Sequence, residues 1–102
     1  MSYRMQPVSE NETDLMAPKQ YAVILHNDDY TTMDFVVEIL VRVFHKSEPE
    51  AAHIMMEVHK SGKGIAGAYT YDIAVTKIKQ SEQMAGQQGY PLRLTLQEIT
   101  ES

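Results

Sequence analysis

Cysteine is absent from this 102-residue chain, so it can form neither a disulfide nor a thiolate metal site. A fold without cysteine needs no oxidising compartment, which is compatible with the cytosol. Basic residues are outnumbered: nine Lys and Arg stand against 14 Asp and Glu, for a formal charge of −5. Phosphate binding requires a basic face, so this balance argues against a nucleic-acid partner. No stretch approaches the ~18 to 20 apolar residues of a membrane span. Residues 1–18 carry one basic residue and no apolar run of the length a secretory signal uses. The length suits one domain with a modest core, and nothing in it demands more than a monomer. Against these scarcities stand seven methionines, which serve either as adaptable core filler or as the lining of a pliable apolar pocket.

Residues 1–18 are polar and acidic with no apolar period, and are expected to form a flexible tail before a domain spanning 19–102. Tyr21, Val23 and Leu25 alternate with Ala22 and Ile24, which predicts a largely buried first strand. A first helix begins at Thr31 or Thr32; with Thr31 as N-cap, Asp34 supplies a shortened capping box. Its expected buried face is Met33, Val36, Val37, Leu40, Val43 and Phe44. Ser47, Pro49 and Glu50 predict the start of a second helix, with Ser47 capping and Glu50 reaching back. Gly62-Lys63-Gly64 is expected to stop it, followed by a short strand over 65–69. Thr70 would cap a third helix, with Asp72 near its positive end and Gly86 and Gly89 closing it. Pro91 to Leu96 then alternate as a strand with one wet and one buried face. Three short strands cannot bury themselves, so the reading is an α+β domain of order β-α-α-β-α-β. It has a three-stranded antiparallel sheet covered on one face by three helices.

The link Asn27-Asp28-Asp29-Tyr30-Thr31-Thr32 between the first strand and helix is the most informative stretch. Two adjacent carboxylates are more than a turn needs. They can accept hydrogen bonds from a cationic group held close to apolar side chains. A solvated turn that complements the helix dipole is the competing reading. Paired catalytic carboxylates must converge on one atom, whereas neighbours on an extended link point apart. No nucleophile has an activating neighbourhood and no glycine loop cradles phosphate, so nothing supports catalysis. His26, His45, His53 and His59 form no metal-binding pattern, and no metal or cofactor is expected. Met55, Val58 and His59, spaced i, i+3 and i+4, share one helical stripe.

Asn27-Asp28-Asp29-Tyr30-Thr31 followed by Met33-Asp34-Phe35-Val36 resembles the signature of the ClpS adaptors. Met55-Met56-Glu57-Val58-His59, then Gly62-Lys63-Gly64-Ile65-Ala66-Gly67 and a closing Pro91-Leu92, are similar to the same family over residues 19–96. The resemblance implies a non-enzymatic adaptor of the bacterial ClpA-ClpP protease, located in the cytoplasm. It implies a fold similar to the C-terminal domain of the ribosomal stalk protein. It also implies recognition of N-degrons, meaning free protein N-termini that begin with Leu, Phe, Tyr or Trp. By the same resemblance, Asn27, Asp28 and His59 would hold the substrate's α-amino group and first peptide group, with Asp29 adding negative charge. Thr31, Met33, Val36, Met55, Val58 and Leu92 would line the pocket for the first side chain, and Met33 would exclude β-branched residues. Asp72, Thr76 and Lys77 would dock the N-terminal domain of a ClpA-type AAA+ unfoldase. Thr32 stands where many members have proline, which would leave the first helical turn less rigidly set. Gly64 and Ala66 replace bulkier residues, and Val75 replaces an acidic one. The alternative reading is an interaction module like the stalk domain, with no peptide pocket; a small hydrolase is a weaker rival.

Overall fold

The apolar run beginning at Tyr21 forms the central strand of a three-stranded antiparallel sheet in the order β2-β1-β3. The computed structural model describes residues 18–100, so all of the expected tail but Pro18 lies outside the described residues. Elements follow as β1 (Gln20–His26), α1 (Met33–Arg42), α2 (Glu48–Ser61), β2 (Lys63–Tyr69), α3 (Tyr71–Gln88) and β3 (Arg93–Ile99). This is the α+β order the sequence predicts.

Val23 and Leu25 of β1 point into the core, where they meet Ile39 and Leu40 of α1, Ala51 and Val58 of α2, and Ala74 and Ala85 of α3. Ala22 and Ile24 alternate to the other face, as strand geometry requires. The helices therefore lie on the Val23–Leu25 side. α1 buries Phe35, Val36, Ile39 and Leu40. The expected face is thus shifted: Met33 stays 47% exposed and Val37 only partly buried, while Phe35 and Ile39 take the deep positions. Phe35 meets Tyr90 edge-on at 5.0 Å, which draws the first turn of α1 onto the segment before β3.

Caps account for most boundaries. Thr32, not Thr31, is the N-cap of α1: its hydroxyl accepts from the Phe35 N–H at 3.1 Å and its carbonyl from Val36 at 3.1 Å. Threonine in place of proline therefore leaves this turn anchored by a side-chain cap instead of a ring. Ser47 and Glu50 form the full capping box expected of α2, with Pro49 in its first turn. Gly62, at φ 92°, ends α2 alone; Lys63 and Gly64 already belong to β2, which starts two residues earlier than expected. Thr70 occupies the N-cap of α3 without a side-chain hydrogen bond. Gly89, at φ 77°, closes α3, whereas Gly86 lies within it. Strand β3 starts after Pro91-Leu92 and runs on to Ile99, because β1 pairs with it from Gln20↔Ile99 to His26↔Arg93.

The β1–β2 ladder carries a bulge: Val23 faces Gly67 but Ile24 faces Ile65, leaving Ala66 as the extra residue. Ala66 is fully buried in the core. On the opposite face, His26 Nε2 and Thr95 Oγ1 lie 2.7 Å apart. Burial, and then the charges of Arg93 and Lys63, hold His26 below the ordinary histidine range. Folding thus favours the neutral ring. That share of stability is present above about pH 6.5 and declines as pH falls through it. Acidification through this window should lower the thermal midpoint modestly, and His26→Gln should flatten the decline. An unchanged slope in the variant would assign the effect to other groups.

Candidate functional site

The Asn27–Thr32 link is held by its own first carboxylate. Asp28 Oδ1 accepts from the Tyr30 N–H at 2.8 Å and the Thr31 N–H at 2.7 Å, and Oδ2 accepts from the Thr31 hydroxyl at 2.7 Å. Aspartate folds its own backbone this way because its short side chain mimics a turn carbonyl. Desolvation pushes the Asp28 pKa up, but the Thr31 and Tyr30 hydrogen bonds outweigh it and bring the group below the ordinary aspartate range. Asp28 is therefore firmly ionised, partly buried and rigidly placed. Asp29 projects beside it, exposed.

Two long-range contacts gather the remaining residues. The Asn27 N–H donates to the Gly62 carbonyl at 2.9 Å, tying the end of β1 to the C-terminus of α2. Gly62 in turn donates to the Val58 carbonyl at 3.0 Å. Asn27 is thereby brought to the last turn of α2, where His59 is exposed. On the other side, His26 pairs with Arg93, which sets Leu92 next to the same strand end. Gly62 is the residue that sequence reasoning read only as a helix stop; its carbonyl is what anchors Asn27. The Gly62-Lys63-Gly64 stop signal marked the position but not this partner.

Beneath the polar rim, Val36, Val58 and Leu92 belong to one apolar cluster, with Met55 packed against it. Thr31 precedes the N-cap of α1 and Met33 opens that helix. At that position Met33 is half exposed. Two segments carry the polar groups: the β1–α1 link holds the ionised carboxylate and the amide, and the last turn of α2, tied to that link through the Asn27–Gly62 hydrogen bond, holds the imidazole. Carboxylate and amide oxygens and a neutral imidazole nitrogen all accept hydrogen bonds. Such an arrangement can hold an ammonium whose carbon skeleton carries an apolar group.

Asp72 and Thr76 lie elsewhere, on the exposed side of α3, where with His45, Ile73, Lys77 and Gln80 they line a surface concavity of about 360 Å³. Lys77 is already engaged. Its Nζ donates to the Val43 carbonyl at 2.6 Å and lies 5.2 Å from the Tyr69 ring centre and 5.9 Å from that of Phe44. It neutralises the negative end of α1, where His45 adopts a left-handed φ of 58° and the Lys46 N–H reaches the Leu40 carbonyl.

Residues 16–95 match the family model described as "ATP-dependent Clp protease adaptor protein ClpS". The Clp protease adapter protein ClpS of Syntrophus aciditrophicus is 56% identical over 90 residues, covering 88% of this chain and 84% of that protein. Its counterpart in Acetivibrio thermocellus is 52% identical over 97 residues, covering 95% and 98%. Among solved structures, Agrobacterium tumefaciens ClpS2 bound to L-phenylalaninamide superposes with a TM-score of 0.78 at 37% identity, over 81% of this chain and 100% of that one.

Proposed function

Since this chain belongs to the ClpS family of Clp protease adaptors, we propose that it binds N-degrons and delivers them to a ClpA-type unfoldase. An adaptor is not itself a protease; its task is to recognise a substrate and pass it on. The observation that carries the reading is the Asn27–Gly62 hydrogen bond, which ties the link bearing ionised Asp28 to the helix end that bears His59. L-phenylalaninamide, the ligand of the solved Agrobacterium protein, has the matching chemistry: a free α-amine, a benzyl group and an amide in place of the first peptide bond.

Asn27, Asp28 and His59 take the α-ammonium and the first peptide group, with Asp29 adding negative potential. Thr31, Met33, Val36, Met55, Val58 and Leu92 enclose a Leu, Phe, Tyr or Trp side chain. Each charge-assisted hydrogen bond contributes about 1.5 to 3 kcal/mol, and burying the side chain a further ~1.5 to 3 kcal/mol. After association costs, affinity near the micromolar level, about −8 kcal/mol, is expected. Neither half suffices alone, so the receptor requires a free terminus and a large apolar first residue together. Titration with Leu-, Phe- and Ala-initiated peptides tests this directly. Binding of the first two and not the third is expected. No binding of any would favour a stalk-like interaction module without a pocket.

Met33 acts as a gate. Its side chain stands at the start of α1, where it meets the Cβ of an entering residue and excludes Ile and Val, whose bulk begins at that atom. Met33→Ala should therefore admit Ile- and Val-peptides to within about tenfold of Leu, a gap of ~1.4 kcal/mol. Retained discrimination would place the gate at another residue.

The concavity around Asp72 and Thr76 is the docking surface for the unfoldase's N-terminal domain. Lys77 lines the same concavity while its ammonium fixes the end of α1. The protein works as a monomer in the bacterial cytoplasm. Among the described residues no helix is long and apolar enough to cross a membrane.

A further inference from the structure

Gly64 has an ordinary backbone: the glycines at positive φ are Gly62 and Gly89. Its missing side chain is therefore a matter of clearance. A Cβ at this position would lie 2.9 Å from Val58 Cγ2, 3.5 Å from the Ile54 carbonyl oxygen and 3.6 Å from the Val58 nitrogen. The first distance is closer than carbon atoms approach one another, so α2 rests directly on the β2 backbone there. Gly64 is buried and faces Leu25 across the ladder, which closes off any retreat on the strand side. Val58, only 3% exposed, rests against that backbone and belongs to the same buried cluster as Val36 and Leu92.

We propose that Gly64 is a specificity-determining residue: it lets Val58 sit back against β2 and so sets the depth of the side-chain pocket. This rests on the N-degron reading above and deepens it. Valine in a helix is confined almost to one rotamer, so Val58 cannot rotate out of the way of an added methyl group. It has to move toward Val36 and Leu92, into the space a substrate side chain would fill. Close-packed surroundings transmit that shift instead of absorbing it. Long side chains reach the floor and short ones do not. The glycine thus favours Phe, Tyr and Trp relative to Leu. Gly64 touches no substrate; it acts through Val58 and is a positioning residue.

The test is fluorescence anisotropy with Leu-, Phe- and Trp-initiated peptides against the full chain and three variants. Gly64→Ala is expected to weaken Phe and Trp peptides by about tenfold and Leu by less than ~twofold, as overpacking at a pocket floor should. Adding Val58→Ala to Gly64→Ala should restore the Phe-to-Leu ratio, which a merely structural role for Gly64 would not produce. Val58→Ile, which narrows the same space while keeping the glycine, should reproduce the loss and keeps the test decisive if Gly64→Ala folds poorly. Equal changes for all three peptides, or an unaltered ratio in both Gly64→Ala and Val58→Ile, would overturn the proposal. Failure of the parent chain to bind any of the peptides would instead overturn the N-degron reading.

Discussion

Acetylating the α-amine of a Leu- or Phe-initiated peptide should reduce its affinity for this protein by at least about a hundredfold. A free α-amine has a pKa of roughly 7.7 to 8.0, so near neutral pH it is mostly an ammonium with three donors. Acetylation removes the charge and two of the donors, and leaves the apolar side chain unchanged. Two charge-assisted hydrogen bonds at ~1.5 to 3 kcal/mol each amount to about 3 to 6 kcal/mol, or two to four orders of magnitude in Kd. In the proposed binding mode the ionised Asp28 would in addition be left facing a neutral group. Competition by free and acetylated forms of one peptide against a labelled Leu-peptide measures the difference. Equal competition would mean that the side chain alone is read and that the polar rim has another purpose.

Asp28→Ala should lose binding by a similar factor and also lower stability, and a second variant separates the two effects. The carboxylate makes three hydrogen bonds within the link. Alanine leaves the Tyr30 and Thr31 N–H groups without their partner and removes the charge. A loss of about 1 to 2 kcal/mol in stability is expected, and each kcal/mol is worth a fall of ~4 to 8 °C in Tm for a domain of this size. Asp28→Asn keeps an oxygen for the two N–H groups and an amide that can donate to the Thr31 hydroxyl, so the turn survives while the charge is lost. Its Tm should stay near that of the parent, while affinity for a Leu-peptide still falls by about tenfold or more, as loss of a charged acceptor predicts. Parent-like binding by Asp28→Asn would show that Asp28 is a turn device only. Because its hydrogen bonds hold Asp28 below the ordinary aspartate range, its stabilising share is present above about pH 3.9 and is lost only as pH falls further. Acid weakening of peptide binding above that range would then belong to other groups.

Much of the fold was legible because its determinants are local. Ser47, Pro49 and Glu50 lie within one turn, and their capping box forms as read. The alternation of Tyr21 to Leu25 needs only the strand period to predict a buried strand. Errors arose where two local solutions compete. Thr31 and Thr32 are equally good caps by composition; Asp28 takes the Thr31 hydroxyl and thereby leaves the cap to Thr32. Gly62 and Gly64 look alike in sequence, but the first supplies a left-handed φ and the second clearance beneath Val58. The contact of Lys77 with the Val43 carbonyl could not be read from the sequence, because that partner lies at the end of another helix.

The order of strands and helices was determined by the sequence itself, whereas the residues proposed to meet a ligand rest on the resemblance of its motifs to the ClpS adaptors. Motif spacing, caps and apolar periods act over a few neighbouring positions and need no knowledge of the rest of the chain. Only the tertiary structure decided that Asn27 is moored to Gly62, that Leu92 closes in beside His26, and that Gly64 leaves Val58 room against β2. Each of these joins segments far apart along the chain. Which distant groups come within ångströms of one another depends on strand register and on how closely a helix can approach a sheet, and neither is encoded in any short stretch.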